Sequence, residues 1–589
     1  MGMILSEIFG QRPGLSYDVR GSLHFPAGDC VRPPGSASIA QPKDDMLIED
    51  LKAIQERRDY LPEDELRALS ARTRVPLYEI QGVASFYPHF HLAPPPPVRV
   101  DICVDLACHL RDAGSLKENV EAAIPGGDRE KVRVCGVSCL GRCDRPCAIA
   151  VNDHIYDDIP AGEVSGLIRS ALAGEGLGGK APVVPGGPWK IDPYRETPKY
   201  EALRRALPEG PESVIERLKT AGLRGMGGAG FPAGLKWEIV RKAEGAPKYV
   251  VCNADESEPG TFKDRVILET LPHLVIEGMV LGGLAVGAER GILYLRHEYD
   301  HVVPGLEREL DEARSQGLLG PDIPGSGRAF EIEIFLSPGG YICGEETALL
   351  EALEGKRAEP RNKPPFPGHV GLWGKPTLIN NVETFAHAPS ICLNGPDWFI
   401  AQGEGDAAGL KFLALSGDVN RPGVYEVPLG TPVRRLIEEH GGGVSGGNRL
   451  KAFMPGGTSS GFLPASMADI PLDFKPLTDA GSMLGSGAVV AIAEGRDMLD
   501  LAFNAMRFFR NESCGKCVPC RMGTEKIVDL LRDALAGRGR PEAAALIREL
   551  SDAMMETSIC GLGQAAPNPI LSVIRHFPDE VASRIEGRS

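Results

Sequence analysis

Three cysteines at two-residue gaps constrain this chain more than any other feature. They stand in Ser513-Cys514-Gly-Lys-Cys517-Val-Pro-Cys520-Arg521 and can put three thiolates on one small inorganic centre. A fourth ligand must then come from elsewhere. Cys560, in Ser558-Ile-Cys560-Gly-Leu-Gly563 after a further helical stretch, is the only later cysteine. Four thiolates suit a 4Fe–4S cluster. A structural zinc site also takes four cysteines, but usually as two separated Cys-x-x-Cys pairs rather than three plus one.

A second set lies near the N-terminus. Cys103-x4-Cys108 and Cys139-x3-Cys143 sit on two loops that each follow an expected strand, Val98–Cys103 and Lys131–Val134. Two pairs suit a 2Fe–2S centre, in which each iron takes two thiolates. By spacing alone Cys135 and Cys147 compete for the same role, and the dipeptide Cys108-His109 leaves zinc open. The chain has 14 cysteines. Cys252, Cys343 and Cys392 read as buried and structural, and Cys30 as a bystander. The first residues lack the charged and apolar regions of a signal peptide, so clustered cysteines point to metal rather than to disulfides.

The stretch Gly225-Met-Gly-Gly-Ala-Gly-Phe-Pro-Ala-Gly234 runs into Leu235-Lys236-Trp237. So many glycines let a backbone approach a phosphate and donate N–H groups to it. A Rossmann fingerprint needs a strand in front. Glu212 to Leu223 instead reads as a helix, which leaves a phosphate loop of another kind or a plain turn. Lys236, at the start of an expected helix from Leu235 to Lys242, adds positive charge. Downstream, a strand from Lys248 to Cys252 ends in Asn253-Ala-Asp255-Glu256-Ser-Glu258-Pro-Gly260. Carboxylates beside such a loop can accept hydrogen bonds from ribose or ribityl hydroxyls.

Charge and hydropathy exclude some functions. Net charge is −16, from 64 basic and 80 acidic residues, which argues against nucleic-acid binding. The most apolar stretch, Leu274 to Val286, is broken by Glu277 and cannot span a bilayer. The expectation is a cytoplasmic protein without membrane insertion.

Together Gly225 to Trp237, Asn253 to Gly260, Tyr341 to Thr347, Asn380-Asn381 and the Cys514/517/520/560 set resemble the NADH-binding flavoprotein subunit of respiratory complex I. Cys103 to Tyr156 resembles its thioredoxin-like 2Fe–2S partner subunit, here on the same chain. The segments Met454 to Phe474 and Cys560 to Pro569 look like the beta (diaphorase) subunit of metal-dependent, NAD-linked formate dehydrogenase. Diaphorase subunits of soluble NAD-linked hydrogenases and complex I-like modules are the alternatives.

The resemblance implies FMN, NAD(H), one 4Fe–4S and one 2Fe–2S cluster. It also implies a large partner subunit with a molybdenum or tungsten pterin and further iron–sulfur clusters. Gly225, Gly227, Gly228, Gly230, Lys236, Asn253, Asp255, Tyr341, Gly344, Glu345, Asn380 and Asn381 match positions around FMN. Phe231, Glu256, Glu258, Glu346, Lys363 and Phe366 match positions that receive NADH, with Glu256 and Glu258 expected at the hydride-transfer site. The fold expected is multidomain α/β and α+β. An extension over 1–44 precedes a helical head and thioredoxin-like domain over 45–173. A linker over 174–205 leads to an FMN- and NADH-binding domain over 206–405. A β-grasp-like domain over 406–494 and a helical 4Fe–4S domain over 495–589 complete it.

Overall fold

A computed structural model describes residues 47–177 and 187–587. Cys30, the expected N-terminal extension and part of the expected linker lie outside these residues. Helices Leu47–Arg58, Glu63–Thr73 and Leu77–Ala84 form the head. Leu47, Leu51 and Ile54 recur at helical spacing and are buried. A four-stranded sheet follows, in the order Val132–Val137, Val98–Cys103, Ile149–Val151, His154–Tyr156. Its first pair is parallel and the others antiparallel. Helices Ala113–Ala123 and Ala161–Leu172 complete the thioredoxin-like unit.

The largest core surrounds a five-stranded sheet ordered Gly320–Ile323, Arg328–Leu336, Arg290–Leu295, Tyr249–Ala254, Thr377–Asn381. The last four strands are parallel. The apolar runs of Arg290–Leu295, Tyr249–Ala254 and Thr377–Asn381 are what a sheet covered on both faces requires, whereas Arg328–Leu336 alternates with exposed charges. Asn253 and Asn381 are register partners at the carboxyl ends of two adjacent strands, where open parallel sheets place ligands. The segment expected as a linker contributes to this core from Trp189 onward. Ile191 and Tyr200 are fully buried in it, and the helix Glu201–Glu209 begins before residue 206.

A third sheet is ordered Gly423–Pro428, Leu410–Gly417, Ala488–Ala493, Leu450–Met454, Leu463–Pro464. Its central pair is parallel and its flanks antiparallel. Helices from Met498–Asn511 to Pro578–Ile585 close the chain. No single described helix is long and apolar enough to cross a membrane; Lys263–Thr270 and Pro272–Val286 reach that length and hydropathy only together and are bent by 94°.

Helix Pro272–Val286 is apolar on every side because it is buried on every side. Glu277 within it accepts hydrogen bonds from the Tyr194 hydroxyl at 2.6 Å and the Leu203 N–H at 2.8 Å. The helix crosses Val382–Asn394 so closely that a Cβ on Gly278 would lie 2.1 Å from the Phe385 carbonyl oxygen. A backbone cannot give way as a side-chain tip can. Gly278→Ala should therefore lower the thermal midpoint by the equivalent of about 1–3 kcal/mol. Gly82→Ala, where a Cβ meets nothing within 4 Å, should match or exceed wild type. Thermal unfolding at a single heating rate distinguishes the two outcomes.

Candidate active site and redox centres

The glycine loop joins two helices, as its sequence context indicates: Pro211–Ala221 ends at Gly222 and Ala233–Lys242 follows Pro232. The loop closes on itself. Gly225 N–H donates to Phe231 O at 2.8 Å, and Arg224 Nε donates to Gly230 O at 2.7 Å. Met226 N–H donates to Thr384 Oγ1 at 2.9 Å, which ties the loop to the start of Val382–Asn394. Gly227 faces Asn381. Gly230, at φ +63°, lies over the Phe474 ring, where a Cβ would come within 2.5 Å. Gly228 faces open space, so this loop presents bare backbone outward. Lys236 Nζ donates to Ile379 O at 3.1 Å and pairs with Glu346 at 3.4 Å. Trp237 Nε1 donates to Asn380 Oδ1 at 3.1 Å.

The acidic loop after Tyr249–Ala254 faces the turn at Tyr341–Gly344. Asn253 Nδ2 donates to Gly344 O at 2.8 Å. Asp255 Oδ1 accepts from the Ser257 hydroxyl at 2.6 Å, while its Oδ2 is buried without a partner in the protein. Burial pushes the Asp255 carboxyl up to about 7. Glu258 accepts from the Tyr341 hydroxyl at 2.5 Å, Ser459 N–H at 2.6 Å and Ser459 Oγ at 3.0 Å. It therefore clamps Tyr341 to the third sheet's domain.

Glu256 requires a correction. Its carboxylate is buried, accepting from Asp264 N–H at 2.8 Å, Arg265 N–H at 3.1 Å and the Tyr299 hydroxyl at 3.1 Å. It caps the helix Lys263–Thr270, whose first amides need an acceptor, and is not free to receive a nucleotide.

Glu345 caps Glu346–Leu353 through Thr347 N–H and Ala348 N–H, both at 2.9 Å, and pairs with Lys363 at 2.9 Å. Burial alone would raise the Glu346 carboxyl, but Lys236 and Lys363 hold it below the usual carboxylate range. Phe231 and Phe366 leave aromatic surface open, at 43% and 55% exposure. The segment bearing Phe366 lies along the helix that starts after Phe231: the Cβ position of Gly368 is 3.2 Å from Ile239.

The cysteines that compete by spacing have different surroundings. Cys139 and Cys143 have their sulfurs 3.4 Å apart, and Cys103 and Cys108 are buried as they are. Cys135 lies inside the strand Val132–Val137, paired with Asp101. The Cys147 thiol is directed at the carbonyls of Cys108 and Arg111. At the other centre, Cys520 and Cys560 are buried, and burial pushes their thiols up to about 12 and about 11. The Cys560 loop abuts Cys520: the Cβ position of Gly563 is 3.0 Å from Cys520 Cβ. Cys560 also lies within electrostatic reach of Tyr341 and Glu345. Ser459, Phe474 and Glu512 were not signalled as site residues by sequence, because each acts across a domain boundary; Thr384 acts within its own domain, but from a segment far along the chain. Glu512 accepts from Tyr341 N–H at 2.8 Å and from the Ser138 hydroxyl.

These residues fit a phosphorylated, hydroxyl-bearing flavin. The open backbone at Gly228 leaves room for its phosphate, and the orphaned Asp255 Oδ2 suits a hydroxyl donor. Losing a charge-assisted bond costs roughly 1.5–3 kcal/mol. Asp255→Ala should therefore bind FMN about ten- to a hundred-fold more weakly in fluorescence titrations of flavin-free protein. With its folded pKa raised, flavin-free Asp255 retains a proton that the unfolded chain releases. Its contribution to stability thus falls from about pH 4 to about pH 7 and is flat beyond. Asp255→Asn should flatten the pH dependence of the thermal midpoint across that window.

Family comparisons agree with this arrangement. Residues 218–390 match the Nuo51 FMN-binding domain, and residues 500–584 the NADH-ubiquinone oxidoreductase-F iron-sulfur binding region. Residues 37–172 match the thioredoxin-like [2Fe-2S] ferredoxin, and residues 413–463 the SLBB domain. The F 2 subunit of NADH-quinone oxidoreductase from Rhizobium meliloti (strain 1021) is 46% identical over 399 residues, covering 68% of this chain and 95% of the relative. The HndC subunit of the NADP-reducing hydrogenase of Solidesulfovibrio fructosivorans is 43% identical, covering 68% of this chain and 82% of that one. The crystal structure of an air-oxidized NAD+-reducing [NiFe]-hydrogenase superposes with a TM-score of 0.81 at 32% identity, covering 91% of this chain and 93% of the other. The chain belongs to the family of F-type, NADH-oxidising flavoprotein subunits of complex I and NAD-reducing hydrogenases, with an FMN domain, a 4Fe–4S region and a thioredoxin-like 2Fe–2S domain on one polypeptide.

Proposed function

We propose that this chain is the diaphorase subunit of an NAD-dependent formate dehydrogenase. Its partner would be a large subunit carrying a molybdenum or tungsten pterin and further iron–sulfur clusters. The choice of formate rests on the resemblance of two segments to the formate dehydrogenase beta subunit. Those segments, around Met454–Phe474 and Cys560–Pro569, pack on one another. Asn568 Nδ2 donates to Ser459 O at 2.8 Å, and Phe462 N–H donates to Ser572 Oγ at 2.8 Å. Ser459 in turn holds Glu258, so this unit reaches the flavin site. The hydrogenase reading is favoured instead by the superposition on the NAD+-reducing [NiFe]-hydrogenase.

FMN, when bound, exchanges a hydride with the nicotinamide and single electrons with the clusters. The chain's task is placement. The amides of Gly227, Gly228 and Gly230 would receive the phosphate, Gly225 would hold the loop closed behind them, and Lys236 would add charge. Asn253, Asp255, Tyr341, Gly344, Glu345, Asn380 and Asn381 orient the flavin. Phe231 and Phe366 offer aromatic faces to the adenine. Glu346 and Lys363 hydrogen-bond the nucleotide, and Glu258 fixes Tyr341 beside the nicotinamide. Cys103, Cys108, Cys139 and Cys143 hold the 2Fe–2S cluster; Cys514, Cys517, Cys520 and Cys560 hold the 4Fe–4S cluster.

The purified chain should reduce artificial dyes with NADH and leave formate unoxidised. Adding the large subunit should confer formate-dependent reduction of NAD+. Formate oxidation by the chain alone would refute the assignment, and hydrogen-dependent NAD+ reduction by the native complex would establish the alternative. Cys514→Ser or Cys560→Ser should abolish the 4Fe–4S signal in the reduced electron paramagnetic resonance spectrum. The 2Fe–2S signal and NADH-to-flavin hydride transfer should remain.

A further inference from the structure

The strand Arg290–Leu295 delivers Arg296 to the junction of two domains, where its guanidinium is buried. One amino group donates to the Cys139 carbonyl at 2.7 Å, the other to the Glu256 carbonyl. Nε pairs with Glu298 at 2.9 Å, and the guanidinium lies 5.0 Å from the Tyr299 ring centroid. Arg296 therefore touches both the backbone of a cysteine at one redox centre and the acidic loop of the flavin site. Placement of nucleotide or flavin leaves it without a part.

We propose that Arg296, with Glu298 as its counter-ion, sets the reduction potential of the 2Fe–2S cluster. This rests on the assignment of Cys139 as a ligand. Reduction adds one electron to the cluster, supplied by NADH through the flavin, and no bond forms or breaks. The cluster becomes one unit more negative. A cation fixed beside Cys139 stabilises that state, and in a buried junction the attraction is screened far less than in water. Arginine serves because it stays charged at any working pH and its fork reaches two carbonyls at once. Glu298 opposes it, so the pair is a trimmed charge. The neighbouring Arg265 is neutralised by Asp144 at 2.9 Å; Arg142 and the buried Asp105 also face this region. All four are unchanged in the variants below.

The test is a mediated redox titration of the loaded full-length chain, read by electron paramagnetic resonance. Arg296→Gln should make 2Fe–2S reduction at least tenfold less favourable, a fall of about 59 mV for one electron. Arg296→Lys keeps the charge and should stay near wild type. Glu298→Gln should shift the midpoint the opposite way, upward. The 4Fe–4S midpoint should not move in any of them. A purely structural role would not give shifts of opposite sign. An intact signal with an unmoved midpoint in Arg296→Gln would overturn the proposal, as would shifts of one sign in both glutamine variants. Should Arg296→Gln not fold, Glu298→Gln decides alone: an unmoved or lowered midpoint overturns it. Failure of the ligand assignment would look different, as a 2Fe–2S signal that survives Cys139→Ser unaltered.

Discussion

The segment from Asn253 to Thr261 must satisfy three neighbours at once, and the rest of the structure is arranged so that it can. Its first residue is tied to the turn at Gly344. Its middle caps the following helix through Glu256 and reaches Tyr341 and Ser459 through Glu258. Near its end, Gly260 N–H donates to Cys143 Sγ at 3.4 Å. There a Cβ would meet Val490 of the third sheet at 2.8 Å, in a backbone at φ +96°. Side chain or backbone is committed at nearly every step. A loop so constrained holds a cofactor without reorganising when charge moves, which is the main thing a protein contributes to hydride and electron transfer.

Such rigidity needs support underneath, and buried charges supply it. Lys263 pairs with Asp264 at 2.6 Å and Glu383 at 2.9 Å, and Lys411 of the third sheet pairs with the same Glu383. All are buried. Burial pushes the Lys411 amine down to about 8, whereas Lys263, against burial, is held above its ordinary value by Asp264 and Glu383. Ion pairs of this kind give little net stability, but breaking one leaves an unpaired buried charge costing about 3–5 kcal/mol. Their effect is to fix register between domains. Asn381, facing Gly227 across the glycine loop, donates to Asp264 at 2.5 Å, and Phe412 N–H donates to Glu383 at 2.8 Å. The third sheet is thereby keyed to the glycine loop.

Spacing made the redox centres legible. Cysteines three to five positions apart can converge on one small centre, so their spacing alone points to that chemistry. Between Cys135 and Cys139 spacing could not decide, because the strand runs to Val137 rather than ending at Val134 and so carries Cys135 into the sheet. The helix in front of the glycine loop was legible from Val214, Ile215 and Leu218, all buried. Glu256 was misread for a physical reason. A carboxylate in an acidic run looks the same in sequence whether it faces a ligand or caps the next helix. The linker was read too long because Gly and Pro around residues 174–188 obscured Ile191 and Tyr200, whose burial depends on a surface formed far along the chain.

Those cross-domain contacts say why one polypeptide suits this arrangement. Glu512 joins Ser138, beside Cys139, to the backbone of Tyr341, and stands two residues before Cys514. Asn504 holds the backbone of Val104 and Leu106 from the opposite side, at 2.8 and 2.9 Å. The thioredoxin-like domain is thus held by directional polar contacts to buried carbonyls and amides, alongside Leu106 and Leu110, which are buried in a core shared with the C-terminal helices. Between separate chains, such an interface would have to overcome the entropy of association. On one chain the linker holds the domain at high effective concentration, and the contacts need only select its angle. That angle decides whether Cys143 meets Gly260, and with it how closely the cysteines proposed to hold the 2Fe–2S cluster approach the flavin site.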